Sequence, residues 1–131
     1  MSVAGFPMYK HSLIRPVCSS LSEKNEVLRV AHAGGGINGA TYTNSIEALN
    51  VNYSKGFRYF EIDFNTTSDG NIVCVHDWPQ FNRLGGGDAE RPLSLADFEA
   101  INESFIKYKK CTLKSLAQWF GEHDDAFLIT D

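Results

Sequence analysis

The chain has few cysteines and no long apolar run, and both absences narrow what it can be. Its 131 residues include only Cys18, Cys74 and Cys111, which are widely spaced and form no CxxC pair. This spacing disfavours a disulfide framework and a thiolate zinc site, so we predict a reducing, cytoplasmic setting. No apolar run approaches the roughly 20 residues that a membrane-spanning helix needs, so we predict no integral membrane segment.

The chain also lacks an excess of positive charge. Its net charge is -4, and the weak basic cluster of Lys107, Lys109 and Lys110 has the composition of a solvated stretch. We therefore predict no nucleic-acid partner. The N-terminus has no apolar segment between a charged start and a cleavage site, so we predict no secretory signal. The 43% apolar and 21% charged fractions are typical of one globular domain.

Two regions differ in their residue pattern. Residues 1–25 show no periodicity and are predicted to be an N-terminal leader, whereas residues 26–131 are predicted to form one domain. The predicted elements of the domain are strands at 27–32, 57–65, 72–76 and 126–130, a helix capped by Asn44 or Ser45, helices that begin at Ser94 and Thr112, and a mobile loop at 80–91. Apolar strands separated by amphipathic helices favour an α/β fold with a parallel sheet. The short turn after the second strand is instead typical of an antiparallel pair, and we leave that pairing open.

Acidic and imidazole side chains cluster at the ends of the predicted strands. Glu61 and Asp63 are two residues apart in the second strand, and alternation along a strand puts such residues on one face. Two neighbouring carboxylates require a cation or hydrogen-bond donors to compensate their charge. His32 ends the first strand and His76 ends the third. This combination is typical of a metal-assisted hydrolytic site.

Each of these features also has a structural alternative. Either imidazole could be a hydrogen-bonded structural residue, and the two carboxylates could pair with Arg58 or Lys55. The glycines at 34–36 could bind phosphate or could only make a turn. Trp78 could line a substrate entrance or pack in the core. Asp77 could be a metal ligand or could hold the neighbouring imidazole in position.

The order of the motifs resembles the glycerophosphodiester phosphodiesterase family, within the phospholipase C-like phosphodiesterases. That family has a His-Arg-Gly element after its first strand, a Glu-Asn-Thr-like triplet at its first helix, then Glu-x-Asp, His-Asp, and an acidic residue shortly before a lysine. The matching stretches here are residues 31–35, 43–45, 61–63, 76–77 and 129–131. The family arginine is Ala33 here, which removes one expected phosphate contact, and the family glutamate of the triplet is Thr43.

The resemblance implies the fold and the chemistry. It implies a TIM-type (β/α)8 barrel, of which this chain holds about the first half, roughly four strands. It also implies metal-dependent hydrolysis of a small phosphodiester substrate, a glycerophosphodiester or a related lipid headgroup. By resemblance, the catalytic acid and base are His32 and His76, the metal ligands are Glu61, Asp63 and Asp131, and the substrate-binding residues are Asn44, Gly34 and Trp78. Oxygen ligands favour Mg²⁺ or Ca²⁺.

The length of the chain sets a further expectation. A complete barrel needs roughly 200 to 250 residues, and an open half-barrel leaves strand edges unpaired. We therefore expect either a fragment of a longer protein or a half-barrel that a second copy completes as a homodimer. The alternative function is that of a truncated, catalytically inactive fragment that binds a phosphate compound or a partner protein.

Overall fold

The computed structural model describes residues 27–85, 90–102 and 107–130. In chain order its elements are β1 (Val30–Ala31), α1 (Ile46–Ser54), β2 (Tyr59–Glu61), β3 (Asn65–Thr66), β4 (Ile72–Val73), α2 (Trp78–Gly85), α3 (Leu95–Ala100), α4 (Leu113–Glu122) and β5 (Phe127–Ile129). A single 3-10 turn, His32–Gly34, follows β1. The predicted leader at 1–25 and the predicted metal ligand Asp131 lie outside the described residues.

A parallel sheet organises the molecule. Its strand order is β1-β2-β5, with Val30 opposite Tyr59 and Tyr59 opposite Phe127. The predicted α/β fold with a parallel sheet is therefore confirmed. Because the three strands run in the same direction, their carboxyl ends meet at one edge of the sheet. That edge carries the residues that follow β1 and the residues that end β2.

A hairpin stands beside this sheet and settles the pairing that the sequence left open. The predicted second strand is divided: β2 joins the parallel sheet, and β3 pairs antiparallel with β4. The turn between β3 and β4 is closed by a 2.8 Å hydrogen bond from the Thr67 N–H to the Asn71 carbonyl, with Gly70 at φ 83. Of the four predicted strands, three thus contribute to the parallel sheet in the described part of the chain, and the third lies in the hairpin.

Two separate hydrophobic clusters stabilise the sheet and the hairpin. The sheet cluster lies between the parallel sheet and the helices α1 and α4; its buried residues are Ala31, Leu49, Phe60, Ile62, Cys74, Cys111, Leu116 and Trp119. The hairpin cluster consists of Val73, Val75, Trp78 and Phe98. Successive residues of the segment after β4 alternate between the two clusters, as the period of an extended chain requires. Val73 and Val75 face the hairpin cluster, whereas Cys74 faces the sheet cluster.

Two cysteines meet within the sheet cluster. The thiols of Cys74 and Cys111 are both buried and free, and their sulfur atoms lie 2.7 Å apart. The Cys74 N–H also donates a 2.9 Å hydrogen bond to the Cys111 carbonyl. The hydrogen bond to Cys111 and burial both raise the pKa of the Cys74 thiol, so Cys74 stays protonated and packs as a small apolar residue. The sequence spacing did not reveal that residues so far apart in the chain would meet.

The helix caps were predicted correctly, whereas one predicted loop is wrong. Ser45, Ser94 and Thr112 accept hydrogen bonds from the backbone N–H groups three residues on, as N-caps do. The segment predicted as a mobile loop at 80–91 instead begins with α2. The Asp77 carboxylate accepts a 2.6 Å hydrogen bond from the Gln80 N–H, which starts that helix at Trp78. None of the helices in the described ranges is long and apolar enough to cross a membrane.

Candidate active site

The side chains of His32 and Glu61 are in contact at the carboxyl ends of β1 and β2. The His32 Nδ1 atom lies 2.7 Å from the Glu61 Oε2 atom, and the Ala33 N–H donates to the same oxygen at 2.8 Å. The Glu61 side chain is only 10% exposed, whereas the His32 side chain is 58% exposed. The sheet therefore buries the carboxylate and presents the imidazole to solvent.

The second oxygen of Glu61 bears on the predicted metal. Glu61 Oε1 is buried and has no hydrogen-bond partner among the described residues. A buried carboxylate oxygen without a donor is costly, and a hard cation is a ligand that would satisfy it. The residues therefore fit an oxygen-bound cation. Within the described ranges no group of three or more His, Cys, Asp or Glu side chains is placed to hold a metal ion, and the predicted third ligand Asp131 lies outside those ranges.

Asp63 is held by Asn44 rather than by a basic side chain. The Asn44 Nδ2 atom donates to Asp63 Oδ2 at 2.9 Å, and the Asp63 N–H donates to Asn44 Oδ1 at 3.1 Å. Asn44 is buried and has the left-handed φ of 47°, which asparagine tolerates better than most residues. The alternative of an ion pair with Arg58 is wrong, because the Arg58 guanidinium lies 2.7 Å from Asp125.

His76 reaches the site from the hairpin. Its Nδ1 atom lies 2.9 Å from the Asp77 Oδ2 atom, so Asp77 orients this ring as well as capping α2. The hydrogen bond to Asp77 raises the pKa of His76; burial opposes this shift, while the negative charges of Asp63, Asp77 and Glu61 reinforce it. The imidazole is therefore in the electrostatic field of both carboxylates at the end of β2.

Tyr42 connects the two imidazoles, and the sequence analysis did not identify it. Its ring lies edge-on to His32, with centroids 5.0 Å apart, and edge-on to His76, with centroids 5.4 Å apart. Two cavities of about 330 Å³ each adjoin this ring, one beside His76 and the other beside His32. No motif marks Tyr42, because its role depends on contacts between segments that only the fold brings together.

The remaining predicted substrate residues, Gly34 and Trp78, make structural contacts. Gly34 is buried against α1 at φ 79, and a Cβ there would meet Ala48 at 3.5 Å. Its carbonyl accepts a 3.1 Å hydrogen bond from Asn52, so a structural turn accounts for this glycine. Trp78 is buried in the hairpin cluster, and its indole N–H donates to the Thr66 carbonyl at 3.0 Å. Trp78 therefore packs in the hairpin cluster, and its contact with substrate stays a prediction.

The fold and the site together define a class: an α/β protein of the TIM-barrel kind, with acidic and imidazole residues at the carboxyl ends of its parallel strands. A model of the glycerophosphoryl diester phosphodiesterase family matches residues 32–128. The chain belongs to this family. The predicted resemblance is confirmed, and so is the predicted partial barrel fold.

Solved structures agree on the fold. A glycerophosphodiester phosphodiesterase from Thermotoga maritima is 24% identical, with a TM-score of 0.58 over 82% of this chain and 44% of its own. A protein from Silicibacter pomeroyi DSS-3 assigned to the same activity is 23% identical, with a TM-score of 0.61 over 82% of this chain and 46% of its own.

A third structure, from Galdieria sulphuraria and also assigned to this activity, is 20% identical, with a TM-score of 0.59 over 77% of this chain and 41% of its own. The chain therefore spans less than half the length of each of these three solved structures. No curated protein matched the sequence.

Proposed function

We propose that this chain carries the catalytic residues of a metal-dependent phosphodiester hydrolase that acts on glycerophosphodiesters or related lipid headgroups. The observation that carries the proposal is the approach of two imidazoles from different units. His32 follows a sheet strand and His76 follows the hairpin, yet both lie within 5.4 Å of the ring of Tyr42, centroid to centroid. Membership in the phosphodiesterase family supports the same chemistry.

The geometry favours different proton-transfer roles for the two imidazoles. Cleavage of a phosphodiester by water needs a base that takes a proton from water and an acid that protonates the leaving alcohol. Asp77 raises the pKa of His76, which favours its protonated form and suits the acid. The Nδ1 of His32 faces Glu61 at 2.7 Å. A neutral ring that donates from Nδ1 leaves Nε2 free to accept the proton from water.

The carboxylates provide a place for a hard cation. We assign Glu61, through its unpartnered Oε1, together with Asp63 and Asp131 as the ligands of Mg²⁺ or Ca²⁺. When bound, the cation would neutralise charge on a non-bridging phosphoryl oxygen. Asn44 holds the Asp63 carboxylate from the side, through the reciprocal pair of hydrogen bonds. It thereby fixes the direction of that ligand without needing to touch the substrate.

The test is hydrolysis of a glycerophosphodiester by the purified chain, with and without added Mg²⁺ or Ca²⁺. We expect turnover that requires the cation and is removed by EDTA. His32→Ala and His76→Ala should each lower kcat by about 10²- to 10⁴-fold, the usual contribution of a general acid or base. His123→Ala is the matched control, because His123 stacks on Trp119 away from both imidazoles. Wild-type turnover in either site variant would refute the assignment.

One observation favours a second candidate, an inactive module that binds a phosphate compound or a partner. Large apolar residues are exposed on the outer strands of the described sheet: Val30 on β1 is 40% exposed, and Phe127 on β5 is 44% exposed. An open sheet edge of this kind is a surface for pairing with another chain. This candidate predicts cation binding without turnover, together with self-association. Calorimetry with Ca²⁺ and sedimentation velocity would detect these two properties.

A further inference from the structure

The ring of Tyr42 contacts both imidazoles, and the proposed proton-transfer roles do not require these contacts. Its ring is edge-on to His32 at an interplanar angle of 86° and edge-on to His76 at 66°. The three rings come from three different places: the end of β1, the loop before α1, and the segment after β4. A single side chain therefore contacts both imidazoles, and edge-on contacts of this kind have a preferred geometry.

The backbone at Tyr42 is in an unfavourable conformation. Its φ of 57° lies in the left-handed region, which a bulky aromatic residue rarely adopts. The loop keeps this conformation because its neighbours are fixed: the Asn44 N–H donates to the Ala33 carbonyl at 3.1 Å, and the Asn44 side chain is bonded to Asp63. Strain that the surroundings impose in this way is characteristic of functional sites.

The ring is not part of either hydrophobic cluster. Tyr42 is 46% exposed, so only part of its surface is removed from water in return for the strained backbone. Its hydroxyl makes no hydrogen bond to another residue in the part of the chain that the structure describes. The contacts that remain are those of the ring with the two imidazoles, at the junction of the two cavities.

We propose that Tyr42 is a positioning residue whose ring sets the separation and tilt of His32 and His76, so that both imidazoles reach one phosphodiester. The inference rests on the proposed function, which supplies the reason for holding two imidazoles together. It assigns the role to the aromatic ring and not to the hydroxyl. Without the ring, the hydrogen bond to its sequence neighbour Asp77 is the one contact among the described residues that fixes the orientation of His76.

Steady-state kinetics test the role of the ring. Tyr42→Phe keeps the ring and should keep both kcat and KM. Tyr42→Leu should lower kcat by about 100-fold with KM nearly unchanged, as when reacting groups lose alignment but ground-state binding persists. Tyr59→Leu is the matched control, because Tyr59 stacks on Phe127 in the sheet and contacts neither imidazole. An unchanged kcat in Tyr42→Leu would overturn the proposal. So would an equal loss in Tyr42→Phe, since it would transfer the role to the hydroxyl.

A second measurement is independent of turnover. The imidazole carbon-bound protons of His32 and His76, assigned by NMR with the two alanine variants, sense the ring current of Tyr42. We expect both sets of resonances to move in Tyr42→Leu and to stay in Tyr59→Leu, with His123 as an internal reference. Unmoved resonances would overturn the positioning role whatever the kinetics. If the chain shows no turnover but both sets of resonances move, the contact of Tyr42 with the two imidazoles is supported. The proposed hydrolase function would then be the proposal that fails.

Discussion

The sheet and the hairpin hold their shares of the candidate site in different ways. On the sheet side, Glu61 is buried and Asn44 is almost fully enclosed, and each is hydrogen-bonded to a partner from another segment. On the hairpin side, the His76 side chain is 46% exposed, and its hydrogen-bond partner Asp77 is the adjacent residue. The carboxylates are therefore fixed by the tertiary structure, whereas His76 depends on local contacts.

This difference indicates which part of the candidate site opens more easily. The sheet cluster has eight buried residues, from two strands, two helices and the segments that follow or precede them, whereas the hairpin cluster consists of four buried residues. Smaller cooperative units open at lower free-energy cost than the core of the sheet. We therefore expect the packing of the hairpin cluster to govern how often His76 lies beside the carboxylates.

The largest expected effect is the loss of stability when one large buried side chain of each cluster is replaced by alanine. Phe98 and Leu49 are both fully buried, the first in the hairpin cluster and the second in the sheet cluster. Phe98→Ala should cost about 3–5 kcal/mol and Leu49→Ala about 2–5 kcal/mol of stability, from lost burial and the cavity left behind. Hydrogen exchange followed by mass spectrometry would locate each loss.

The two substitutions should differ in extent. We expect Phe98→Ala to expose the amides of 65–82 while those of β2 and α4 stay protected, and Leu49→Ala to weaken protection throughout the described chain. Phe98→Leu and Leu49→Met serve as controls, since the first keeps a large apolar side chain and the second nearly conserves volume. Equal loss of protection across both units in Phe98→Ala would show that the hairpin is not a separate unit, and the comparison would fail.

A smaller effect distinguishes the helix caps of the two units. Ser45 caps α1 from a fully buried position, with its hydroxyl also 3.0 Å from that of Thr43. Ser94 caps α3 from a position that water can partly reach. Replacing a capping serine by alanine costs about 1 kcal/mol, and more where no water can take over the lost bond.

Urea denaturation would measure the difference between the caps. We expect Ser45→Ala to be the more destabilising of the two, at the upper end of the capping range, with the threonine variant Ser45→Thr restoring part of the loss. Ser54→Ala is the control, because this exposed hydroxyl only donates back to the Asn50 carbonyl within α1. A larger loss in Ser94→Ala would reverse the assignment of the more rigid unit.

The features that local chemistry determines could be predicted from the sequence. Three helices begin at a serine or threonine whose side chain accepts a hydrogen bond from the backbone N–H three residues on. Residues of this type mark helix starts in a sequence. The Glu61–Asp63 spacing and the two strand-end histidines marked the candidate site. Each of these signals lies within a few neighbouring residues, so it can be recognised without knowledge of the fold.

Features that depend on contacts between distant segments could not be predicted. Tyr42 meets His76 and Cys74 meets Cys111 because the segment after the hairpin folds against the sheet. Arg58 meets Asp125 because β2 and β5 are neighbouring strands. The start of α2 was a different kind of error. The glycines at 85–87 outweighed the capping signal of Asp77, although that signal was present in the sequence.

The smallest expected effect concerns two surface carboxylates, one in each unit. The Tyr53 hydroxyl, 2.7 Å from Asp125, and the Arg58 guanidinium lower the pKa of Asp125 beside the sheet. The Thr67 hydroxyl and the Leu95 N–H lower the pKa of Asp69 beside the hairpin. One carboxylate thus has a charged partner and the other has only neutral donors.

The sign of the pH dependence is the same for both. A carboxylate whose pKa is lower in the folded state stabilises the protein above its unfolded pKa of about 3.9, and this contribution is lost as the pH falls through the folded value. Wild type should therefore exceed Asp125→Asn and Asp69→Asn in stability at pH 7, and the differences should vanish in acid. Urea titrations across this pH range would measure them.

Salt separates the two carboxylates, because ions screen an exposed charge pair more than a hydrogen bond from a neutral donor. Raising the salt from about 0.05 to about 0.5 M shortens the Debye length to a few ångströms, so part of the Asp125 contribution should disappear. The Asp69 contribution should persist. Equal salt sensitivity at the two positions would mean that Arg58 contributes nothing beyond the Tyr53 hydrogen bond, and that the surface electrostatics of sheet and hairpin do not differ.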